Sequence, residues 1–447
     1  MARRISDCVA TPARRQPNDL ALVDVRESTI CIWSWSKLWH ESEKVAGLLL
    51  RLAVGSAEPV AYQLPNCAEA VAISLGILRV GAVCCPLAPT LNEEDLQRLL
   101  ARSRARVLFI ADESAGRRSV EAIEALAPQC ECLEHVIVVR MGTAKPTLPA
   151  NRRVVWERYH RATALAPPSS EFLDRRRPPA DSIAHLLFTP RGSSVSGVLH
   201  RHESLMHAVA VHTERIGLEG ADRIFVAASL AEQTGFLYGM WLALALGLPQ
   251  IILGSWNPAR ALRAIRDWRA TFAQAPSEML NELVHAAKTS LDLQLALRVF
   301  VSVDETGPDL MARAQELHIQ LCGSFGTPET CLATLAHPTD TLEKNTSRGR
   351  ALPGVRLRIC DGEDREMLNG SQGRLQIHSE TLFAGYLGDE ARTTEAYTSD
   401  GWYRSSAQAL LDSEGRLYLS ARRSEPPAIG PSALVRKTHD TSREITT

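Results

Sequence analysis

The sequence predicts an α/β protein with two lobes of mixed, mostly parallel sheets and a smaller β-rich lobe. Three observations lead there. Through about residue 350, short apolar runs alternate with helical patterns, as parallel strands do when helices cover both faces of their sheet. Beyond Gly349 apolar and polar residues alternate one by one, the period of half-exposed antiparallel strands. A length of 447 residues, 45% hydrophobic and 23% charged, suits about three core units of a globular protein.

Taken in order, the chain opens with Arg3 and Arg4, but Asp7, Pro12, Arg14 and Arg15 stand where an export signal has its apolar centre. A cytoplasmic protein with reduced thiols is therefore expected. The ten cysteines include neighbours at Cys84-Cys85 and a spaced pair at Cys130 and Cys132, without zinc-ribbon spacing. Residues 90–95 lead into Leu96, Leu99 and Leu100, a capped helix start followed by an apolar face. Strand-like runs follow at 107–110 and 136–139. The Pro- and Arg-rich stretch 140–181, with Arg175, Arg176 and Arg177, reads as a solvated connection. A second series comprises strands at 224–226, 250–253 and 299–302 and a helix from Pro258. The greasiest segment runs only from Gly235 to Leu248 before Pro249, shorter than the ~18 residues of a membrane span, so a buried helix is expected. In the last lobe Val355, Leu357 and Ile359, then Leu375 and Ile377, then Leu417 and Leu419 mark strands. The expected units are 1–180 and 181–349 for the α/β lobes, 350–420 for the β-rich lobe, and a tail at 421–447.

Fifty basic against 51 acidic residues leave a formal charge of −1, so no global basic field attracts nucleic acid. Aromatic residues, at 5%, form no stacking platform for it either. There is no Gly-x-Ser-x-Gly elbow and no Gly-x-Gly-x-x-Gly loop after a strand. His200-Arg-His202 lacks acidic or cysteine partners at metal spacing and reads as a basic helix edge.

Four patches carry chemistry. Leu187-Phe-Thr-Pro-Arg-Gly-Ser-Ser-Val-Ser-Gly-Val-Leu-His-Arg-His202 combines a strand with hydroxyls and glycines suited to wrapping phosphate oxygens. The others are Ser229-Leu-Ala-Glu-Gln-Thr-Gly-Phe-Leu-Tyr-Gly-Met240, Gly323-Ser-Phe-Gly-Thr-Pro-Glu329 and Asp400-Gly-Trp-Tyr-Arg-Ser-Ser-Ala407. With these in this order, the chain resembles the adenylate-forming (ANL) superfamily of acyl-CoA ligases, adenylation domains and luciferases. Gln63-Leu-Pro-Asn66, Gly81-Ala-Val83, Pro353-Gly354 and Leu382-Phe-Ala-Gly-Tyr-Leu387 agree. The likeness spans roughly residues 10 to 425, and 233–239 looks most like cyclohexanecarboxylate-CoA-ligase-like members, which act on cyclic or medium-sized acids.

The resemblance implies an ANL-type N-terminal domain and two half-reactions. ATP and magnesium convert a carboxylate to an acyl-adenylate, then coenzyme A displaces AMP. It places Thr189, Ser193, Ser194, Phe325, Gly326, Thr327 and Arg422 around the adenylate and its phosphate. It places Gln233, Thr234, Gly235, Phe236 and Tyr238 at the acyl pocket and Glu329 at magnesium. No catalytic residue is assigned.

The departures cluster in the nucleotide machinery. The family loop reads Thr-Ser-Gly-Thr-Thr-Gly-x-Pro-Lys-Gly, whereas Thr189 to Gly197 is one residue shorter, holds Pro190 and Arg191, and has no lysine before Gly197. Proline removes a backbone donor. Val303-Asp-Glu305 replaces the Gly-Gly-Ala under adenine, Ala407 replaces the ribose-binding acid, and Glu232 replaces a histidine. Residues 423–447, with Pro426, Pro427 and Pro431, are too few for the mobile C-terminal domain that carries the adenylation lysine, since domains rarely fall below ~50 residues. The hinge position holds Ser424. That domain is expected to be absent.

Three readings follow. The first is a divergent acyl-CoA ligase impaired in adenylation, which binds a preformed acyl-adenylate from a partner ligase and forms the thioester with coenzyme A. The second is a non-catalytic binding or regulatory partner of an active ligase. The third is a full ATP-dependent synthetase with unusual residues. Coenzyme A and acyl-AMP are the expected substrates, with ATP and magnesium deprived of their usual contacts.

Overall fold

The computed structural model describes residues 4–420, apart from 115–116, 143–145, 151–152, 192–193, 289–293, 342–343 and 345. Ser193, Arg422 and the expected tail lie outside the described residues.

Two large sheets form the body. The nine-stranded sheet runs Arg350–Ala351, Cys331–Leu335, Gln320–Thr327, Val299–Ser302, Phe272–Ala275, Ile224–Val226, Gln250–Leu253, Leu20–Val25, Ile30–Ser34. Its six central strands are parallel and its edges antiparallel. The eight-stranded sheet runs Gly385–Tyr386, Ser194–Arg201, Ile183–Arg191, Val83–Pro86, Pro59–Gln63, Val107–Ala111, His135–Val139, Val155–Arg158. A four-stranded antiparallel sheet, Arg356–Cys360, Gly373–His378, Tyr403–Leu411 and Leu417–Leu419, makes the third unit. The α/β architecture with a β-rich addition is as expected.

The sheets do not follow contiguous stretches of chain. Strands at 20–34 belong to the nine-stranded sheet, and the Ile183–Arg191 and Ser194–Arg201 hairpin belongs to the eight-stranded one. A boundary near 180 therefore separates neither sheet. The 140–181 stretch is also more than a connection. It carries an edge strand at Val155–Arg158, paired parallel to His135–Val139, and short helices at Tyr159–Ala162 and Ser170–Arg175. Of its arginines, Arg177 bridges Asp7 at 3.0 Å and Asp174 at 2.8 Å.

Between the large sheets lies one shared helical layer. Leu22, Ile224 and Phe272 of one sheet and Val60, Tyr62 and Phe109 of the other join a single core with helices Trp35–Arg51, Ala68–Arg79 and His202–Ile216 and the segment 236–246. The Ala68–Arg79 helix is buried at every residue except Glu69. Apart from Glu69, Ser74 and Arg79 its residues are apolar or glycine, as a helix with almost no solvent face requires. At Gly76 a Cβ would sit 2.6 Å from Val45 Cβ, so only glycine lets this helix approach the Trp35–Arg51 helix so closely.

Cys67 opens the Ala68–Arg79 helix without a side-chain cap. The Ala68 N–H donates instead to Asp24 Oδ2, 3.0 Å away on the Leu20–Val25 strand. Arg26 donates to the same oxygen at 2.8 Å and to Glu69 Oε2 at 2.6 Å. Burial pushes the Asp24 carboxyl up, against the pull of Arg26. Arg26 thus offsets two carboxylates in a dry place, and removing one partner of such a group costs about 3 kcal/mol or more. Arg26→Met is expected to destabilise the fold by about that amount, read as a lower urea midpoint; a change below about 0.5 kcal/mol would show the triad to be ornamental.

Among the described residues four histidines are buried: His185, His200, His202 and His212. His200 lies within the Ser194–Arg201 strand and His202 opens a helix, so the expected basic helix edge does not exist there. Burial lowers His200, His202 and His212 to about 4 and His185 well below its ordinary value of 6.5. The unfolded chain takes up these protons near 6.5, the folded chain near 4 at His200, His202 and His212 and well below 6.5 at His185. Their contribution to stability is therefore complete above about 6.5 and is lost as pH falls toward 4, at up to about 1.4 kcal/mol per pH unit for each imidazole. The urea midpoint should be clearly lower at pH 5 than at pH 7.5, above the range where ordinary carboxylates titrate. Equal midpoints would refute it.

Candidate functional site

The segment expected to wrap phosphate is a tight hairpin. Strands Ile183–Arg191 and Ser194–Arg201 stay paired through Phe188↔Gly197, Thr189↔Ser196, Pro190↔Val195 and Arg191↔Ser194. Only 192–193 connect them. Thr189 and Ser194 therefore lie in ladder strands rather than in an open loop. On the other edge of Ser194–Arg201, Val198 and Leu199 pair with Tyr386 and Gly385.

A cation arrives from elsewhere in the chain. Arg392, on the short helix Glu390–Glu395, donates to Ser196 Oγ, at the position preceding Gly197. Its guanidinium lies 3.8 Å over the Tyr386 ring, a favourable cation–π geometry. The Tyr386 hydroxyl in turn donates to Glu329 Oε1 at 2.9 Å. Ser196, Arg392, Tyr386 and Glu329 thus form one connected polar group. Glu329 is half-buried and bonded, not a free surface acid. Among the described residues no cluster of three or more His, Cys, Asp or Glu is arranged to hold a metal, and Glu329 stands there as a single acid.

The second side of the site is built at strand ends, where open α/β sheets gather ligands. Phe325, Gly326 and Thr327 close the Gln320–Thr327 strand at a bulge, and the Thr327 N–H donates to Thr330 Oγ1 at 2.9 Å. Pro328, next in line, offers its carbonyl to two donors, His200 Nε2 at 2.6 Å and Gln233 Nε2 at 3.2 Å. Beyond Val299–Ser302, Asp304 turns its carboxylate to the Ser277 N–H at 3.2 Å, at the start of a helix. The adenine-side substitution is thus partly turned away from where Val303-Asp-Glu305 was expected to intrude. Glu232 is raised by burial and by the Asp304 charge. It remains solvent-accessible, the combination of a group lining a cleft rather than a core. Ala407 is half-buried in the Tyr403–Leu411 strand, its N–H bonded to Ser405 Oγ at 3.2 Å.

The acyl segment is not one regular helix. Gln233–Gly235 is a single α-turn, Phe236–Trp241 is π-helical, and Leu242–Leu246 returns to α; π-turns of this kind recur at functional sites. Gly235 is obligatory, because a Cβ there would lie 2.2 Å from the Ser229 carbonyl oxygen. Gln233 and Thr234 are half-buried at the open end. Phe236 is wholly buried and stacks on His185 with ring centres 3.9 Å apart. Tyr238 is buried too, and its hydroxyl accepts the Leu332 N–H at 2.6 Å.

The structure thus joins Gln233 to the 325–329 hairpin, and Glu329 through Tyr386 and Arg392 to the Thr189–Gly197 hairpin. Reading the sequence alone missed Arg392 and Ser196. Arg392 has no local signal.

The AMP-binding enzyme family matches residues 9–387 of the chain. The medium-chain fatty-acid–CoA ligase of Escherichia coli (strain K12) is 25% identical over 426 residues, covering 94% of this chain and 72% of that ligase. Among solved structures, the N-terminal domain of FACL13 from Mycobacterium tuberculosis superposes with a TM-score of 0.78 at 20% identity, covering 94% of this chain and 100% of that one. The anthranilate CoA ligase AuaEII, solved in complex with anthranoyl-AMP, gives 0.81 at 18% identity over 94% and 77%. These structural likenesses speak for the fold. No helix among the described residues is long and apolar enough to cross a membrane. With the family match running through both hairpins and the acyl segment, the chain belongs to the AMP-binding enzyme family, among homologues that are acyl-CoA ligases.

Proposed function

We propose that this chain is an acyl-CoA ligase homologue specialised for the second half-reaction, holding a preformed acyl-adenylate while coenzyme A attacks it. The observation that carries this reading is the zipped hairpin at 189–197. Its ladder engages backbone groups that an open phosphate loop would turn toward a triphosphate, and Pro190 has no N–H to offer. An acyl-adenylate asks for less, because it has a single phosphate and an already activated carbonyl. Arg392, carried to Ser196 by its own short helix, offers one cation to that phosphate. The neighbour solved with anthranoyl-AMP holds such a ligand on the same fold.

In the reaction the coenzyme A sulfur attacks the acyl carbonyl carbon. The C–S bond forms, the bond from that carbon to the phosphate oxygen breaks, AMP leaves with the electron pair, and the thiol proton passes to solvent. The adenylate comes from a separate adenylating ligase.

A second reading, a complete ATP-dependent ligase, draws support from the same Arg392 and from Glu329, which together offer a cation and an acid near the hairpin. One assay divides the readings. Purified protein receives octanoyl-, benzoyl- or cyclohexanecarbonyl-adenylate with coenzyme A, and in parallel the free acids with ATP, magnesium and coenzyme A. Thioester from the adenylates alone is expected. Thioester from the free acids at a comparable rate means a complete ligase, and adenylate binding without thioester means a non-catalytic partner.

Two variants refine the site. Arg392→Ala is expected to weaken binding of a non-hydrolysable acyl-sulfamoyladenosine about tenfold, the size of one lost charge-assisted contact, with little change in urea midpoint. Ala407→Asp should tighten it by a similar factor, because the restored carboxylate accepts from both ribose hydroxyls. Calorimetry measures both, and an unchanged affinity in either variant removes that contact from the site.

A further inference from the structure

We infer that His200 is a positioning residue for the acyl-adenylate. It fixes the 325–329 hairpin between the Thr189–Gly197 hairpin and the acyl segment, and it acts through the Pro328 carbonyl oxygen. The inference rests on the reading above, in which these three stretches hold one acyl-adenylate among them.

All three stretches meet at that oxygen. His200, on the Ser194–Arg201 strand, donates to it from Nε2 at 2.6 Å, and Gln233, at the head of the acyl segment, donates from Nε2 at 3.2 Å. A carbonyl oxygen has two lone pairs, so the two donors use both. Pro328 has no N–H, which leaves this carbonyl as its one backbone handle. The next residue, Glu329, is tied to the phosphate side: its carbonyl accepts from the Phe383 N–H at 2.8 Å, and its carboxylate from the Tyr386 hydroxyl at 2.9 Å. His200 thus grips the point where Gln233 on the acyl side and Glu329 on the phosphate side are joined by a single residue.

Stability alone does not account for this histidine. It is 0% exposed, and burial keeps it neutral by lowering it to about 4. A carbonyl only accepts, so Nε2 carries the proton and Nδ1 is left as an acceptor, with no hydrogen-bond partner among the described residues. An acceptor unmet in a dry interior costs at least as much as one hydrogen bond returns. A leucine at this position would bury without that cost, and the Pro328 carbonyl would keep Gln233 as its donor. Directly opposite in the ladder stands His185, whose Nε2 is unmet too and whose ring stacks on Phe236 of the acyl segment. Two buried imidazoles on one hairpin therefore touch the acyl segment and the Pro328 carbonyl. Groups kept at a cost to stability and aimed at a site mark positions where geometry matters more than stability.

The test sets binding against stability. His200→Leu should weaken octanoyl-sulfamoyladenosine about tenfold by calorimetry, the effect of a slightly misplaced contact, with a urea midpoint at pH 7.5 equal to or above that of the parent. His200→Gln places an amide donor where Nε2 stood and should bind within about threefold of the parent. Gln233→Leu should cost a factor like that of His200→Leu, and the double variant well under the roughly hundredfold product, because both donors act on one oxygen. Unchanged binding in His200→Leu overturns the inference. So does a loss that His200→Gln does not restore, or one that comes with a lower urea midpoint, since packing then explains it. The full product in the double variant overturns the route through a shared oxygen. Should His200→Leu fail to fold, His200→Phe, which keeps a ring without a donor, takes its place; failure of both shows that stability does require the imidazole and overturns the inference. If the parent protein itself does not bind octanoyl-sulfamoyladenosine, the adenylate reading falls and this inference with it. Binding with the expected variant pattern but without thioester formation supports the inference and sinks only the catalytic reading.

Discussion

The fold depends on one shared layer of helices buried between two sheets. The Ala68–Arg79 helix has almost no exposed surface, so both sheets must close on it for its apolar residues to leave water. Its amino end is held by Asp24 from a strand of the nine-stranded sheet, and Gly76 sets its distance from the neighbouring helix. Because the layer belongs to both sheets, the chain has to cross between them. The first strands join the sheet of the middle third, and the hairpin at 183–201 joins the sheet of the first third. Those crossings bring ends of strands from distant parts of the sequence to one place.

That place is the candidate site. The Gln320–Thr327, Val299–Ser302 and Phe272–Ala275 strands end there, and the acyl segment begins beside them. The zipped hairpin lies on the other sheet, and its tie to Glu329 runs through Arg392 and Tyr386. Charge is supplied from the side rather than from within the loop. A guanidinium stacked on a tyrosine ring and bonded to a buried serine is held by two contacts of different kinds.

Much of the fold was legible. Apolar runs at 107–110, 136–139, 224–226, 250–253 and 299–302 are strands, and Asn92 caps the helix that begins at Glu93, because burial on both faces and a side chain that accepts from its own helix are local properties. The period-two alternation after Gly349 marks the strands of the four-stranded sheet for the same reason. The acyl segment was legible as buried but not as π-helical, since its irregular turn answers to Gly235 passing close to Ser229. The 140–181 stretch misled because its edge strand takes its pairing from His135–Val139 and its short helices are tied by Trp39 and Arg51 of the Trp35–Arg51 helix, not by their own pattern.

By itself the sequence determined the α/β architecture, the family motifs and where they depart from the family, all consequences of local burial, spacing and residue identity. Tertiary structure alone decided which strand joined which sheet, because the helical layer between them is shared by both. It also decided that Arg392 reaches Ser196 across 196 residues and that His212 meets Gln274 across 62. Such contacts depend on how the layers stack, and no periodicity along the chain records that.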